Sequence, residues 1–121
     1  DYIFSEFIDT LNIENKRVLD LGCGQGIWSY YMLSLGAKEV IGVDISKISI
    51  NNASEKQKTM RIDAQRMKFI LYDGLKLPFK DNSFDVICSV GVIHHTEDDR
   101  MLLKETYRVL RGGGEFCRMC L

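Results

Sequence analysis

Glycine stands at every second position in Gly22-Cys23-Gly24-Gln25-Gly26, directly after the apolar run Val18-Leu19-Asp20-Leu21. Glycines so spaced let a backbone turn sharply and press against a ligand with no Cβ in the way. The run that follows, 27–35, reads as a helix closed by Gly36. The first N–H groups of such a helix have no partner inside it and point at the same bend. Strand, glycine-rich bend and helix in that order mark the first strand–helix turn of an open α/β sheet, a place where nucleotide-type ligands bind.

The rest of the chain repeats the alternation. Apolar strands are expected at 16–21, 39–43 (ending in Asp44), 67–72 and 84–90, with a fifth over 115–121. Between them come a polar helix from an N-cap at Ser46 to about Thr59 and a helix over 98–110, ended by Gly112-Gly113-Gly114. Leu102, Leu103, Tyr107 and Leu110 are expected on the buried side of the latter. Phe4, Phe7, Ile8 and Leu11 recur at helical spacing ahead of the first strand. Strands separated by helices require a parallel sheet with right-handed crossovers. The expected fold is a three-layer, Rossmann-like, doubly wound α/β sheet of order 3-2-1-4-5, one domain over 1–121, with its ligand at the carboxyl ends of the strands.

Asp20 narrows the ligand. A dinucleotide would set a pyrophosphate against the helix N-terminus, and a carboxylate two residues before the first glycine would repel it at close range. The carboxylate suits a ligand with a cationic end and no phosphate. S-adenosyl-L-methionine fits, with its sulfonium, ammonium, ribose and adenine. The glycine spacing agrees: Ile27 stands where the third glycine of a dinucleotide loop would be.

At this point the segment from Val18 to Gly26 resembles the first motif of the class I S-adenosylmethionine-dependent methyltransferases. The segment 102–114 is similar to that family's closing Leu-x-Glu-x-x-Arg-Val-Leu-Lys-Pro-Gly-Gly, with Gly112 in place of the proline. The resemblance runs from about 16 to 116 and is strongest to the small-molecule "type 11" branch. It implies a seven-stranded core, whereas this chain stops in or just after the fifth strand. On that reading the C-terminal β-hairpin is lacking and the core is incomplete, and the start at Asp1 rather than Met points the same way.

Each strand end then offers a side chain. Asp44 lies 18 residues after Gly26; a carboxylate there can accept both ribose hydroxyls, or it can serve simply as a charge at a helix N-terminus. Ile45 can lie against adenine or merely pack. Asp73-Gly74 can accept from the adenine amine, and is also a common turn pair. The resemblance turns the end of the fourth strand toward methyl donor and acceptor, with Ser89 near the methionine end. It also matches His95 to a position where some members, phosphobase methyltransferases among them, use a general base; His94 reads as structural. The family's Asn/Asp-Pro-Pro-aromatic signature for methylating exocyclic base amines is missing.

Composition bounds partners. Net charge is −1, so there is no electrostatic footprint for nucleic acid, and no apolar run approaches the ~20 residues needed to span a membrane. Cys23, Cys88, Cys117 and Cys120 read as reduced thiols of a cytoplasmic protein, with no metal site, since a lone Cys117-x-x-Cys120 lacks two further ligands. Glu105 and Arg108 are expected to form an exposed pair worth only tenths of a kcal/mol. The sequence therefore predicts methyl transfer from S-adenosyl-L-methionine to a small-molecule acceptor. The alternatives are a non-catalytic cofactor-binding fragment and a nicotinamide-dependent oxidoreductase, the latter disfavoured by Asp20 and Ile27.

Overall fold

A computed structural model describes residues 8–90 and 97–119. Among these residues, five strands, β1 (Arg17–Leu21), β2 (Glu39–Asp44), β3 (Met67–Leu71), β4 (Phe84–Val90) and β5 (Leu110–Met119), alternate with the helices α1 (Ile27–Ser34), α2 (Lys47–Thr59) and α3 (Glu97–Val109). All four pairings are parallel, in the order β3-β2-β1-β4-β5. The expected sheet order is therefore the observed one. Chain direction reverses its progress across the sheet at β1, which lies between β2 and β4.

Alternation along each strand sends side chains to opposite faces. Val18, Val40, Val86, Cys88 and Cys117 join Met32 and Leu33 of α1 in one core, which also takes in Ile8 and Ile13. Leu19, Leu21, Ile41, Val43 and Ile87 pack with Leu102 and Val109 of α3 in the other. Tyr30 of α1 donates its hydroxyl to the Ala53 carbonyl of α2 at 2.7 Å, which ties those two helices together on one face. The expected three layers are present. Among the described residues, no helix is long and apolar enough to cross a membrane. Phe4 and Phe7 lie outside the described residues.

Boundaries agree to within a residue or two except at the start of the fifth strand, expected at 115 and observed at Leu110. The glycine run 112–114 does not separate α3 from β5. β5 begins at Leu110 and contains all three glycines. Phe84 pairs with Leu110 but Val86 pairs with Glu115, so β5 bulges outward between those two pairs. Gly113 adopts φ +81°, and a Cβ on Gly114 would come within 2.7 Å of the Asp85 carbonyl oxygen, so the glycines shape a bulge in a strand already under way. The buried face of α3 also differs from expectation. It is Leu102, Thr106 and Val109, all under 5% exposed, while Tyr107 is 62% exposed, Leu103 is half-buried and Leu110 belongs to β5. Thr106 escapes an apolar-pattern reading because its hydroxyl donates to the Leu102 carbonyl within the helix, which lets it be buried.

Candidate functional site

The loop after β1 is held from within. Gly22 and Cys23 donate their N–H groups to the Val43 carbonyl at 2.8 and 2.9 Å, Gly26 donates to the Cys23 carbonyl at 2.9 Å, and Gly24 donates to Asp44 Oδ2 at 2.8 Å. Gly22, Gly24 and Gly26 all have positive φ, at 75°, 55° and 91°. A Cβ at Gly26 would meet the Phe69 ring at 2.9 Å, whereas one at Gly24 would meet nothing within 4 Å. Gly26 is thus fixed by packing, and Gly24 borders open space where a ligand can lie. With four N–H groups of the bend committed internally, the loop is a poor cradle for a diphosphate, which relies on such donors.

Asp20 is only 2% exposed. Rather than standing open at the mouth of the bend, it sits beneath the loop, where Ser29 of α1 donates its hydroxyl to Oδ2 at 2.6 Å. Burial pushes its carboxyl up to about 6; the Ser29 hydrogen bond works against that rise, and the charge of Asp44 adds to it. A carboxylate taken from water and given one hydroxyl partner retains unmet demand for a cation.

Asp44 closes β2 and joins two elements. Beyond accepting from Gly24, it accepts the Ser46 N–H at Oδ1, 2.9 Å away. Ser46 in turn caps α2, accepting from the Ser49 N–H at 3.2 Å. The capping role expected of Ser46 is thus observed, and Asp44 braces the residue that performs it. Next to it, Ile45 is 67% exposed, an unusual state for an isoleucine unless something covers it. Its Cγ2 lies 3.2 Å from where a Gly74 Cβ would be, so only glycine lets the two segments meet that closely. Asp73 accepts the Leu75 and Lys76 N–H groups on Oδ1, at 2.8 and 2.9 Å, and those bonds hold its carboxyl below the usual range. Both readings of Asp73-Gly74 are compatible with this arrangement: the turn exists, and among the described residues no hydrogen bond occupies Oδ2.

Ser89, near the end of β4, pairs in register with Leu21 of β1 and Arg118 of β5. It is 1% exposed, and among the described residues its hydroxyl has no hydrogen-bond partner. A buried hydroxyl without such a partner is uncommon. His94, His95 and Cys120 lie outside the described residues. Among the described residues no cluster of His, Cys, Asp or Glu could hold a metal ion.

One pair was underrated by sequence reasoning. Glu105 and Arg108 are 18% and 29% exposed, not a surface pair. Glu105 accepts from Arg108 Nε and Nη2 at 2.6 and 2.9 Å and from the Leu77 N–H at 2.9 Å. Arg108 also donates to the carbonyls of Leu77 and Phe79, at 3.0 and 2.8 Å, and to Asp81. The pair clamps α3 to the segment that follows Asp73. The only advance signal was a motif spacing that also fits a plain i, i+3 pair.

Comparison with known proteins agrees with this geometry. Residues 19–117 match the methyltransferase domain family of type 11. The chain is 34% identical over 119 residues to phosphoethanolamine N-methyltransferase 3 of Arabidopsis thaliana, covering 93% of this chain and 24% of that enzyme. It is 34% identical over 98 residues to 27-O-demethylrifamycin SV methyltransferase of Amycolatopsis mediterranei, covering 81% of this chain and 36% of the relative. Among solved structures, an S-adenosylmethionine-dependent methyltransferase from Mesorhizobium loti superposes with a TM-score of 0.80 at 26% identity, over 96% of this chain and 51% of that one. The chain spans between a quarter and about a third of the length of these curated relatives. With a glycine bend over Asp20, Asp44 closing the second strand and a family match across nearly the whole sheet, the chain belongs to the class I S-adenosylmethionine-dependent methyltransferases, in their type 11 branch.

Proposed function

We propose that this chain binds S-adenosyl-L-methionine along the carboxyl ends of β3, β2, β1 and β4 and transfers its methyl group to a small-molecule acceptor. When bound, the cofactor supplies a methyl group already activated on a sulfonium, so proximity and alignment are what remain for the protein to provide. Asp20 would draw the ammonium end from beneath the loop, with Ser89 beside it. Gly22, Gly24 and Gly26 give backbone access. Asp44 accepts the ribose hydroxyls, and Ile45 with Asp73 and Gly74 forms the adenine side. One observation carries this reading: Asp44, exposed Ile45 and Gly74 are gathered within contact distance beside the open flank of Gly24.

We place one cofactor-binding domain over 1–121 and assign His95 as the general base toward the acceptor. The acceptor class rests on relatives named for small molecules. One relative is named as a tRNA U34 carboxymethyltransferase; a net charge of −1 argues against a polyanion here. The described cysteines Cys23, Cys88 and Cys117 are free and buried, which supports action in the reducing cytoplasm. Calorimetric titration with S-adenosylhomocysteine, with NADH in parallel, tests the cofactor assignment. Saturable binding of the first and none of the second is expected; the reverse pattern restores the oxidoreductase reading. Formation of S-adenosylhomocysteine from a pool of small-molecule acceptors separates an enzyme from a non-catalytic binding module.

A further inference from the structure

A cavity of about 270 Å³ is lined by Leu75, Lys76, Met101, Lys104 and Glu105, none of them in the glycine bend. It lies between the segment after β3 and the middle of α3. Leu75 and Met101 are 38% and 54% exposed, so two large apolar side chains face into it without cover. The alkyl stems of the lysines extend the same surface.

Its charges are unequal in their commitments. Glu105 is held by Arg108 and by the Leu77 N–H, and Arg108 is shared with Asp81. Asp73, at the edge of this segment, accepts the Leu75 and Lys76 N–H groups. Neither Lys76 nor Lys104 forms an ion pair with a described residue. Two ammonium groups therefore flank an apolar hollow whose wall is already fastened by the Glu105–Arg108 clamp; the charge of Lys76 also acts on Asp73 and Glu105, but no described carboxylate holds either lysine in an ion pair.

We propose that this cavity is a second ligand site, which takes a short amphipathic anion. The alkyl or aryl body would lie against Leu75 and Met101, and its carboxylate between Lys76 and Lys104. The volume sets the size class: it falls just below the ~300 Å³ at which pockets for drug-sized ligands begin, so a medium-chain acid fits and a long-chain lipid does not. A preformed wall lowers the ordering cost that weakens binding at loose surface grooves. The proposal does not depend on which cofactor occupies the glycine bend.

Octanoate is the probe, titrated by calorimetry into the protein and into a Lys76→Gln/Lys104→Gln variant, with 1-octanol and acetate in parallel. Both lysines are exposed, so the variant should melt at the same temperature as the parent. Expected is saturable one-to-one octanoate binding, weakened at least tenfold in the double variant, with octanol and acetate each at least tenfold weaker than octanoate. A second variant, Met101→Glu, should abolish octanoate binding by putting a carboxylate in the apolar wall. Absence of saturable octanoate binding, equal affinity in the lysine variant, or octanol matching octanoate would each overturn the proposal.

Discussion

Asp44 concentrates more of the proposed site than any other side chain. Its two oxygens already hold the Gly24 and Ser46 N–H groups, so it arranges the bend and the start of α2 while leaving lone pairs for a diol. Asp44→Ala is expected to weaken S-adenosylhomocysteine binding by well over tenfold in a calorimetric titration. Unchanged affinity would remove the ribose assignment. Asp20 makes a second, pH-dependent claim. Its carboxyl is raised from 3.8 to about 6 by burial. In the absence of cofactor the folded state therefore holds this proton more tightly than the unfolded chain. The contribution of Asp20 to stability then falls as pH rises from about 4 to about 6. Binding of a cation requires the ionised form, so cofactor affinity should change in the opposite sense and decline as pH drops through about 6. Asp20→Asn should flatten that decline while preserving the acceptor for Ser29. An identical pH profile in parent and variant would show that Asp20 does not face the cationic end.

Elements, in this molecule, are joined at a few points where substitution should be felt as stability. The Glu105–Arg108 clamp fastens α3 to the segment after β3 through the carbonyls of Leu77 and Phe79. Arg108→Met leaves those carbonyls and Glu105 short of partners and should lower stability by about 1–3 kcal/mol, measured by urea unfolding. A loss within ~0.5 kcal/mol, the range of ordinary surface changes, would return the pair to the surface class. On the opposite side of the sheet, a Cβ on Gly42 would come within 2.8 Å of Cys23 Cβ and the Phe69 ring. Gly42→Ala should therefore cost about 1–3 kcal/mol by overpacking, and should disturb the bend through Cys23. A denaturation midpoint equal to the parent's would show that the layer gives way easily.

For the whole molecule, the sheet was legible because strand and helix signals alternate cleanly. The order then follows from parallel crossovers and from the glycine bend at the first turn. The strand-end carboxylates were legible for the same reason: Asp44 and Asp73 each close an apolar run. What stayed hidden has a common physical cause. The commitment of Arg108 to carbonyls 29 and 31 residues away is a tertiary fact that no local pattern encodes. The bulge at Gly112–Gly114 reads as a helix stop because glycine serves both purposes. Thr106 is buried through a hydrogen bond to its own helix, and burial of Asp20 depends on Ser29, nine residues on. The apolar period alone distinguishes none of these.

The central claim is that the bend over Asp20, together with Asp44, Ile45 and Gly74, holds an adenosyl sulfonium donor. A crystal structure of the chain with S-adenosylhomocysteine tests it most directly. The account predicts ribose hydroxyls on the Asp44 carboxylate, adenine between Ile45 and the Asp73–Gly74 turn, and the amino-acid end running past Gly24 toward Asp20 and Ser89. Density for the product elsewhere on the chain, or a bound ribose that leaves Asp44 untouched, would contradict it.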